Sequence, residues 1–366
     1  FKERLDGILE DKETRHSLLG IYQSPQGDSE LLEYVAALLN KQYGWNISAK
    51  NVAVSNGSQA AFFVLFNLFA GLQSDGSRKR IQLPLAPEYL GYSDSGLSEP
   101  FFTATKPTIE LLDQKQFKYH VDFAELEVNT DSAALCVSRP TNPTGNVLTD
   151  DEIQHLDALA RAQDIPLIID GAYGTPFPNI LFEQATPHWN DNTIVVLSLS
   201  KLGLPGARTG FVIAREEIID AYTRANTILN LACGNLGTTL GKSLFADGEI
   251  LRASQNIVKP YYQDKVEHAL RCAEQSLADL PYRIHKPEGA IFLWLWFEGL
   301  PISSQTLYQR LKEKGLLVVP GEPFFVGLNE PWQHKNECLR LSYAQPAEVV
   351  KQGFELVAAE VKAAFA

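Results

Sequence analysis

The chain has 366 residues, 45% of them hydrophobic and 21% charged, enough to bury a large core in one to three domains. Lys and Arg number 32 against 44 Asp and Glu, and the resulting net charge of −12 repels polyphosphate and anionic surfaces, which excludes nucleic acid and anionic membranes as expected partners. No apolar run approaches the roughly 18 residues that a spanning helix needs, so no membrane segment is expected.

In chain order, Val52–Ser55 is the first candidate strand, followed by Asn56, Gly57, Ser58 and an apolar helix over Ala60–Phe69. Strand-like runs recur at Arg80–Leu85, Ala134–Ser138, Pro166–Asp170, Ile194–Ser198 and Thr209–Ala214. Between two of these, Thr149 and Glu152 read as a capping box, and Ile153, Leu156, Leu159 and Ala160 then line one helical stripe. Alternation of this kind predicts an α/β fold with a mostly parallel sheet covered by helices. From Ile250 to Leu277 the pattern becomes one long helix. A strand (Ala290–Phe297), a helix (Gln305–Lys314), a strand (Leu316–Val319) and a terminal helix (Glu348–Ala364) follow, which suggests a second, smaller α+β domain. Two further features concern the start: the chain begins at Phe1 and contains no methionine, so a preceding segment is expected.

Cys136, Cys233, Cys272 and Cys338 are widely spaced with no CxxC pair, which favours free thiols in a reducing cytoplasm. The seven histidines show no close ligand spacing, so no metal site is expected. The polar residues instead gather after strands. Asp170 ends one apolar run, Ser198, Ser200 and Lys201 end another, Asn142 follows a third, and Asn56-Gly57-Ser58 follows the first. In open α/β sheets ligands bind beyond the carboxyl ends of the strands, so these groups are offered to one crevice. In the turn Ser198-Leu-Ser-Lys201-Leu-Gly-Leu-Pro-Gly-Ala-Arg208, two hydroxyls, a lysine and an arginine could hold a dianionic phosphate beside an amine nucleophile. An isolated SxSK is equally a loop lysine, and NGS alone is equally a capped turn.

Ser-Leu-Ser-Lys201 with Arg208 seven positions on, Arg-Pro-Thr-Asn142-Pro-Thr-Gly, and Asp170-Gly-Ala-Tyr173 occur in this order, and together they resemble the motifs of fold-type I pyridoxal-phosphate-dependent aminotransferases of class I/II. Long stretches such as SNGSQAAFFVLFNLFAG, LPLAPEYLGYSDSGL and HKPEGAIFLWLWF extend the resemblance over nearly the whole chain. It implies pyridoxal 5′-phosphate as cofactor, bound to Lys201 as a Schiff base, with Lys201 then moving the proton between substrate Cα and the cofactor. Asp170 would pair with the pyridine nitrogen, while Asn142 and Tyr173 would hydrogen-bond the phenolate oxygen. Gly57, Ser58, Gln59, Ser198, Ser200 and Arg208 would hold the phosphate, with the free N–H groups of a helix start contributing.

Tyr89 would stack on the ring, with Tyr92 as competitor, because Glu88 stands where the family more often has a small residue. Arg340, with Asn142, would bind the substrate's α-carboxylate through its planar fork. Tyr22 would reach a neighbouring subunit's phosphate, which implies a homodimer with shared sites. Phe292, Trp294 and Trp296 alternate on a strand that either faces the ligand or packs the smaller domain.

The domain bounds implied are 25–250 for a large cofactor-binding domain and 251–366 for a small one, with 1–24 packing on the small domain or on the partner. The reaction implied is ping-pong exchange of L-valine and pyruvate for 3-methyl-2-oxobutanoate and L-alanine. Alternatives are transamination of other apolar or aromatic amino acids, another cofactor-dependent reaction such as β-elimination or decarboxylation, and a ligand-sensing regulatory domain.

Overall fold

The computed structural model describes residues 1–113 and 115–366. An eight-stranded sheet runs in the order Val52–Ser55, Gly210–Ile213, Thr193–Ser198, Leu167–Asp170, Ser132–Ser138, Arg78–Leu83 and Gly71–Leu72, with Phe102–Ala104 also pairing with Arg78–Leu83. The 193–198, 167–170, 132–138, 78–83 and 102–104 strands pair in parallel, whereas Gly210–Ile213 runs antiparallel to both its neighbours. The strands expected for this sheet are present with small shifts at their ends.

Why this sheet forms is visible residue by residue. Val54, Val137, Ile169, Val195 and Phe211 join one core, and Ala53, Cys136, Ile168, Val196 and Val212 join another. Successive side chains point to opposite faces, so near-continuous apolar runs are what a sheet buried on both sides requires. Helices Ser29–Tyr43, Asp150–Ala162 and Asn235–Ala246 cover the first face, and Ser58–Phe69 with Glu216–Asn230 covers the second. Thr149 and Glu152 do form the reciprocal capping box.

A six-stranded sheet has the order Val319–Pro320, Cys338–Ser342, Phe292–Trp296, Arg283–His285, Gln116–His120 and Thr108–Leu111. Helices Lys259–Leu277, Ser304–Glu313 and Ala347–Phe365 pack on it through Leu293, Leu295, Leu339 and Leu341. Its opposite face, with Phe117, Tyr119, Trp294 and Cys338, merges into the main core. The Thr108–His120 hairpin lies in sequence inside the 25–250 segment, yet it completes this second sheet through parallel pairing with Ile284 and His285. Trp294 is fully buried, and Phe292 is buried beside Tyr173 and Arg340.

Three expected elements differ. The helix expected over Ile250–Leu277 is interrupted by a π turn at Ser254–Val258. Pro260, at the start of the Lys259–Leu277 helix, has no N–H for a bond to the preceding turn and crowds its carbonyl, and the widened turn accommodates it. The strand expected from Ala290 begins at Phe292, because Ala290 has φ +62°, incompatible with a strand. The strand expected at Leu316–Val319 is reduced to Val319–Pro320. Residues 1–24 lie along Asn235–Ala246: Arg4 binds the Ser243 carbonyl and Asp247, and Asn235 Nδ2 donates to the carbonyls of Ser17 and Ile21. Among the described residues, no helix is long and apolar enough to cross a membrane.

Candidate active site

The strand register places Ser138 opposite Asp170, and Ser198 opposite Gly210, which in turn faces Ser55. Four carboxyl-terminal strand ends therefore open on one cleft of about 950 Å³. Ser58, Gln59, Tyr89, Asn142, Asp170, Tyr173, Ser198, Ser200, Lys201 and Arg208 all line it. The groups expected beyond the strand ends, from Asn142 to Arg208, thus meet in one cleft.

At one end the cleft is cationic and rich in donors. The Ser58–Phe69 helix begins with no side-chain cap, so its first N–H groups are free. Gly57, before it, has φ +85°, and a Cβ there would sit 2.4 Å from Arg208 Nη2. Only glycine lets the guanidinium lie this close. Arg208 itself adopts φ +47°, unusual for a side-chain-bearing residue, and its Nη2 donates to the Asn56 carbonyl at 3.3 Å. Ser198 is fully buried and its Oγ accepts the Ser200 N–H at 3.1 Å, so this hydroxyl holds the turn and still has its proton to donate. Gln59 Nε2 is committed to the Gly91 carbonyl at 2.8 Å. Free helical N–H groups, two hydroxyls and one guanidinium form a donor set suited to a dianion.

At the other end stands Asp170. Its Oδ1 accepts the Ala172 N–H at 2.9 Å and its Oδ2 accepts the Tyr92 hydroxyl at 2.8 Å. Burial pushes its carboxyl up to about 6, opposed by those two hydrogen bonds and by the charge of Lys201. Such a carboxylate gains by receiving a cationic N–H, which a protonated pyridine nitrogen provides. Lys201 Nζ stands 5.3 Å from the centre of the Tyr173 ring. Burial, together with the positive charges of Arg340 and Arg208, lowers the lysine's pKa, with Asp170 opposing. A lysine so placed is readied to act as an amine nucleophile. Tyr173 is buried, and burial raises its hydroxyl above the usual phenol range.

Arg340 stands behind the lining residue Asn142: its Nη1 donates to Asn142 Oδ1 at 2.8 Å, which leaves the Asn142 amide to donate. Its Cζ lies 4.1 Å over the Phe292 ring and 5.1 Å over Phe324. Of the two competing tyrosines, Tyr89 lines the cleft, and Tyr92 lies wholly buried beneath it. Tyr22 is 81% exposed and outside the cleft of its own chain. Ser138 carries no signal of a role in the sequence, where Glu88 stands out only as a misfit. In the fold Glu88 is fully buried, with Oε1 accepting the Ser138 N–H at 2.8 Å and Oε2 sharing a hydrogen bond with the Ser138 hydroxyl oxygen at 2.5 Å. A carboxylate inside an apolar run was the available signal.

The description "Aminotransferase class I and II" matches residues 6–355 of the chain. Valine–pyruvate aminotransferase of Escherichia coli (strain K12) is 48% identical over 366 residues, covering 100% of this chain and 88% of that protein. The structure of valine–pyruvate aminotransferase from Salmonella typhimurium LT2 superposes with a TM-score of 0.94 at 46% identity, covering 100% of this chain and 92% of that one. A putative amino-acid aminotransferase from Psychrobacter arcticum 273-4 superposes with a TM-score of 0.97 at 43% identity, covering 100% and 87%. With a family match along nearly its whole length and a cleft built from that family's motifs, the chain belongs to the class I and II aminotransferases.

Proposed function

We propose that this chain transfers the amino group of L-valine to pyruvate, giving 3-methyl-2-oxobutanoate and L-alanine. As a member of its family it is a pyridoxal 5′-phosphate-dependent aminotransferase, acting between amino acids and 2-oxo acids. The observation that carries the donor assignment is the cation count. Among the described residues lining the cleft the cations are Lys201 and Arg208, and Arg340 stands behind Asn142. With Lys201 and Arg208 given to the cofactor and Arg340 to the α-carboxylate, no further cation is left for a side-chain carboxylate. Phe62, Phe63 and Leu229 supply apolar lining instead. The names of the 48%- and 46%-identical relatives support the same pair of substrates.

When bound, the cofactor supplies an electrophilic aldehyde and a ring that withdraws the electrons left at substrate Cα. Arg208, Ser58, Ser198, Ser200 and the N–H groups after Gly57 hold its phosphate, and Gln59 braces the Gly91 loop beside them. Asp170 holds the ring nitrogen protonated, Tyr89 covers the ring, and the Asn142 amide and Tyr173 hydroxyl donate to the phenolate oxygen. Lys201 would anchor the cofactor through Nζ, and as a free amine it would take up and hand on the proton of substrate Cα. Arg340 clamps the α-carboxylate so that this proton faces Lys201.

The active unit is a homodimer in the cytoplasm. Ile21, Tyr22, Ile228, Leu229, Leu231 and Leu236 are all exposed, with Leu229 also lining the cleft and the Ile21 carbonyl held by Asn235, apolar surface suited to a second copy. Tyr22 there reaches the partner's phosphate site. Residues 25–250 and 251–366 act as large and small domains, except that the 108–120 hairpin sits in the small one's sheet. The test is a panel of amino-acid donors with pyruvate, following alanine formation. Valine and similar apolar donors are expected to give alanine stoichiometrically with the 2-oxo acid. Release of ammonia or carbon dioxide from valine without alanine would sink the reading.

A further inference from the structure

We propose that Glu88 is a positioning residue for this reaction, acting on Asp170 through Ser138 and Tyr92. The proposal rests on the reading of Asp170 as partner of the cofactor's ring nitrogen.

The geometry is a continuous polar chain through an otherwise apolar floor. Glu88 Oε2 and Ser138 Oγ are 2.5 Å apart, Ser138 Oγ and Tyr92 Oη 3.4 Å, and Tyr92 Oη donates to Asp170 Oδ2 at 2.8 Å. Both ends of the Glu88 residue are held: its N–H donates to the Phe324 carbonyl at 2.9 Å, and its Oε1 accepts the Ser138 N–H at 2.8 Å. Glu88, Tyr92 and Ser138 are all buried. Nothing in the transamination scheme above uses them.

A buried carboxyl is costly when charged unless a cation answers it. Among the described residues no Lys, Arg or His hydrogen-bonds or ion-pairs with Glu88. Its charged neighbour is Asp170, a second carboxyl. The other titratable groups facing it are Tyr92 and Cys136, neither of which supplies positive charge. Two carboxyls joined by one hydrogen-bonded chain do not both ionise cheaply. Asp170 faces the cleft and has Lys201 to offset its charge, so the proton resides on Glu88. Burial pushes Glu88 up to about 8 and Asp170 only to about 6, the same order.

One proton fills the 2.5 Å line between Glu88 and Ser138, and with the acid neutral that proton is its own. The Ser138 hydroxyl proton is then turned toward Tyr92, and the Tyr92 proton toward Asp170. All three point one way and end on the carboxylate that must stay ionised under a cationic ring. Without Glu88 the Ser138 hydroxyl is free to rotate, Tyr92 loses its orientation, and Asp170 is more easily protonated.

The experiment compares the holoenzyme with E88A, E88Q, S138A, the double variant E88A/S138A, and D170N. It measures kcat and KM for valine, and the pH at which the visible absorbance of the bound cofactor titrates. E88A is expected to lower kcat about 10- to 100-fold with KM within about threefold, and to move the spectral titration by half a pH unit or more. E88Q keeps the acceptor for the Ser138 N–H and a donor for Ser138 Oγ, losing only the long contact from the Tyr89 N–H. It should stay within about threefold of wild type in kcat, with the spectral titration unmoved. S138A should resemble E88A, and the double variant should be no worse than the worse single one.

Wild-type kcat and spectrum in E88A, an E88Q as impaired as E88A, or multiplicative losses in the double variant would each overturn the proposal. Should E88A fail to fold, E88Q and S138A decide: E88Q active with S138A impaired supports it, and any other pairing overturns it. If D170N is impaired and E88A is not, only the role of Glu88 falls. If D170N is fully active, the reading of Asp170 falls first.

Discussion

Arg340 donates to the side-chain oxygen of Asn142 at 2.8 Å, joining a strand of the six-stranded sheet to a loop that follows a strand of the eight-stranded one. Arg340 lies on the Cys338–Ser342 strand, and Asn142 on the loop after Ser132–Ser138. With Phe292 and Phe324 against it, the guanidinium is held rigidly, and one edge of its fork is used. The remaining N–H groups are those a carboxylate would meet.

Replacing Arg340 therefore acts on both half-reactions, since amino acid and 2-oxo acid share the α-carboxylate. R340A is expected to lose on the order of 100-fold in kcat/KM for valine and for pyruvate. R340K should recover little, because an ammonium lacks the planar fork that spans Asn142 and a carboxylate together. Steady-state kinetics with both substrates checks this, and a loss confined to one of them would contradict it.

Gly57 allows no side chain. G57A would place a methyl group against Arg208 Nη2 and force φ +85° on an L-residue, so the guanidinium must move. Affinity for pyridoxal phosphate, read from tryptophan fluorescence, should weaken about tenfold or more, and the melting temperature should fall with it, because alanine at this φ is itself strained. An unchanged affinity would remove Arg208 from the phosphate site.

The ligand-free protein should lose stability as the solution becomes alkaline. Glu88 is pushed up by burial to about 8 and Asp170 to about 6, both above their values in the unfolded chain. Between the unfolded and folded values the native state binds more protons than the unfolded one, so stability from these groups is full below about pH 4 and declines as pH rises toward 8. Urea unfolding at pH 5 and pH 8.5 measures the difference. E88Q should show a shallower pH dependence than wild type, by about 3 kcal/mol across that interval. Identical slopes would mean that Glu88 is ionised throughout.

Lys118 and Glu288 form a buried ion pair that also binds the loop after Asn142: Lys118 Nζ donates to Asn146 Oδ1 at 2.9 Å and to the Val147 carbonyl at 3.0 Å. Glu288 also accepts the Val147 N–H at 2.9 Å. E288A leaves a buried ammonium without its counter-charge and should cost about 3–5 kcal/mol of unfolding free energy. K118M/E288L should cost less than the sum of the two single replacements, and strict additivity would argue against the pair.

Much of this was legible in advance because it is local. The 167–170 and 193–198 strands are apolar runs closed by polar residues, and their ends place Asp170, Ser198 and Lys201 without any knowledge of partners. The helix cap at Thr149 is likewise written in four residues. What was not legible depends on distant chain. Ile109, Phe117 and Tyr119 alternate as a strand pair should, but nothing near them names Ile284 and His285 as the neighbours. Glu88 is the same problem at the scale of one side chain. Its meaning lies in Ser138, fifty residues away, so in sequence it looks only like a misplaced charge.

The donated hairpin at Thr108–His120 has an engineering consequence. A cut near residue 250 would not yield two self-sufficient pieces: the first would keep two orphaned strands with Phe117 and Tyr119 uncovered, and the second would lack the edge that Arg283–His285 pairs with. Chimeras that exchange the substrate-facing half between relatives must carry 108–120 along with the C-terminal portion. Any reorientation of that half about the cofactor cleft must flex at least two separate stretches of backbone at once.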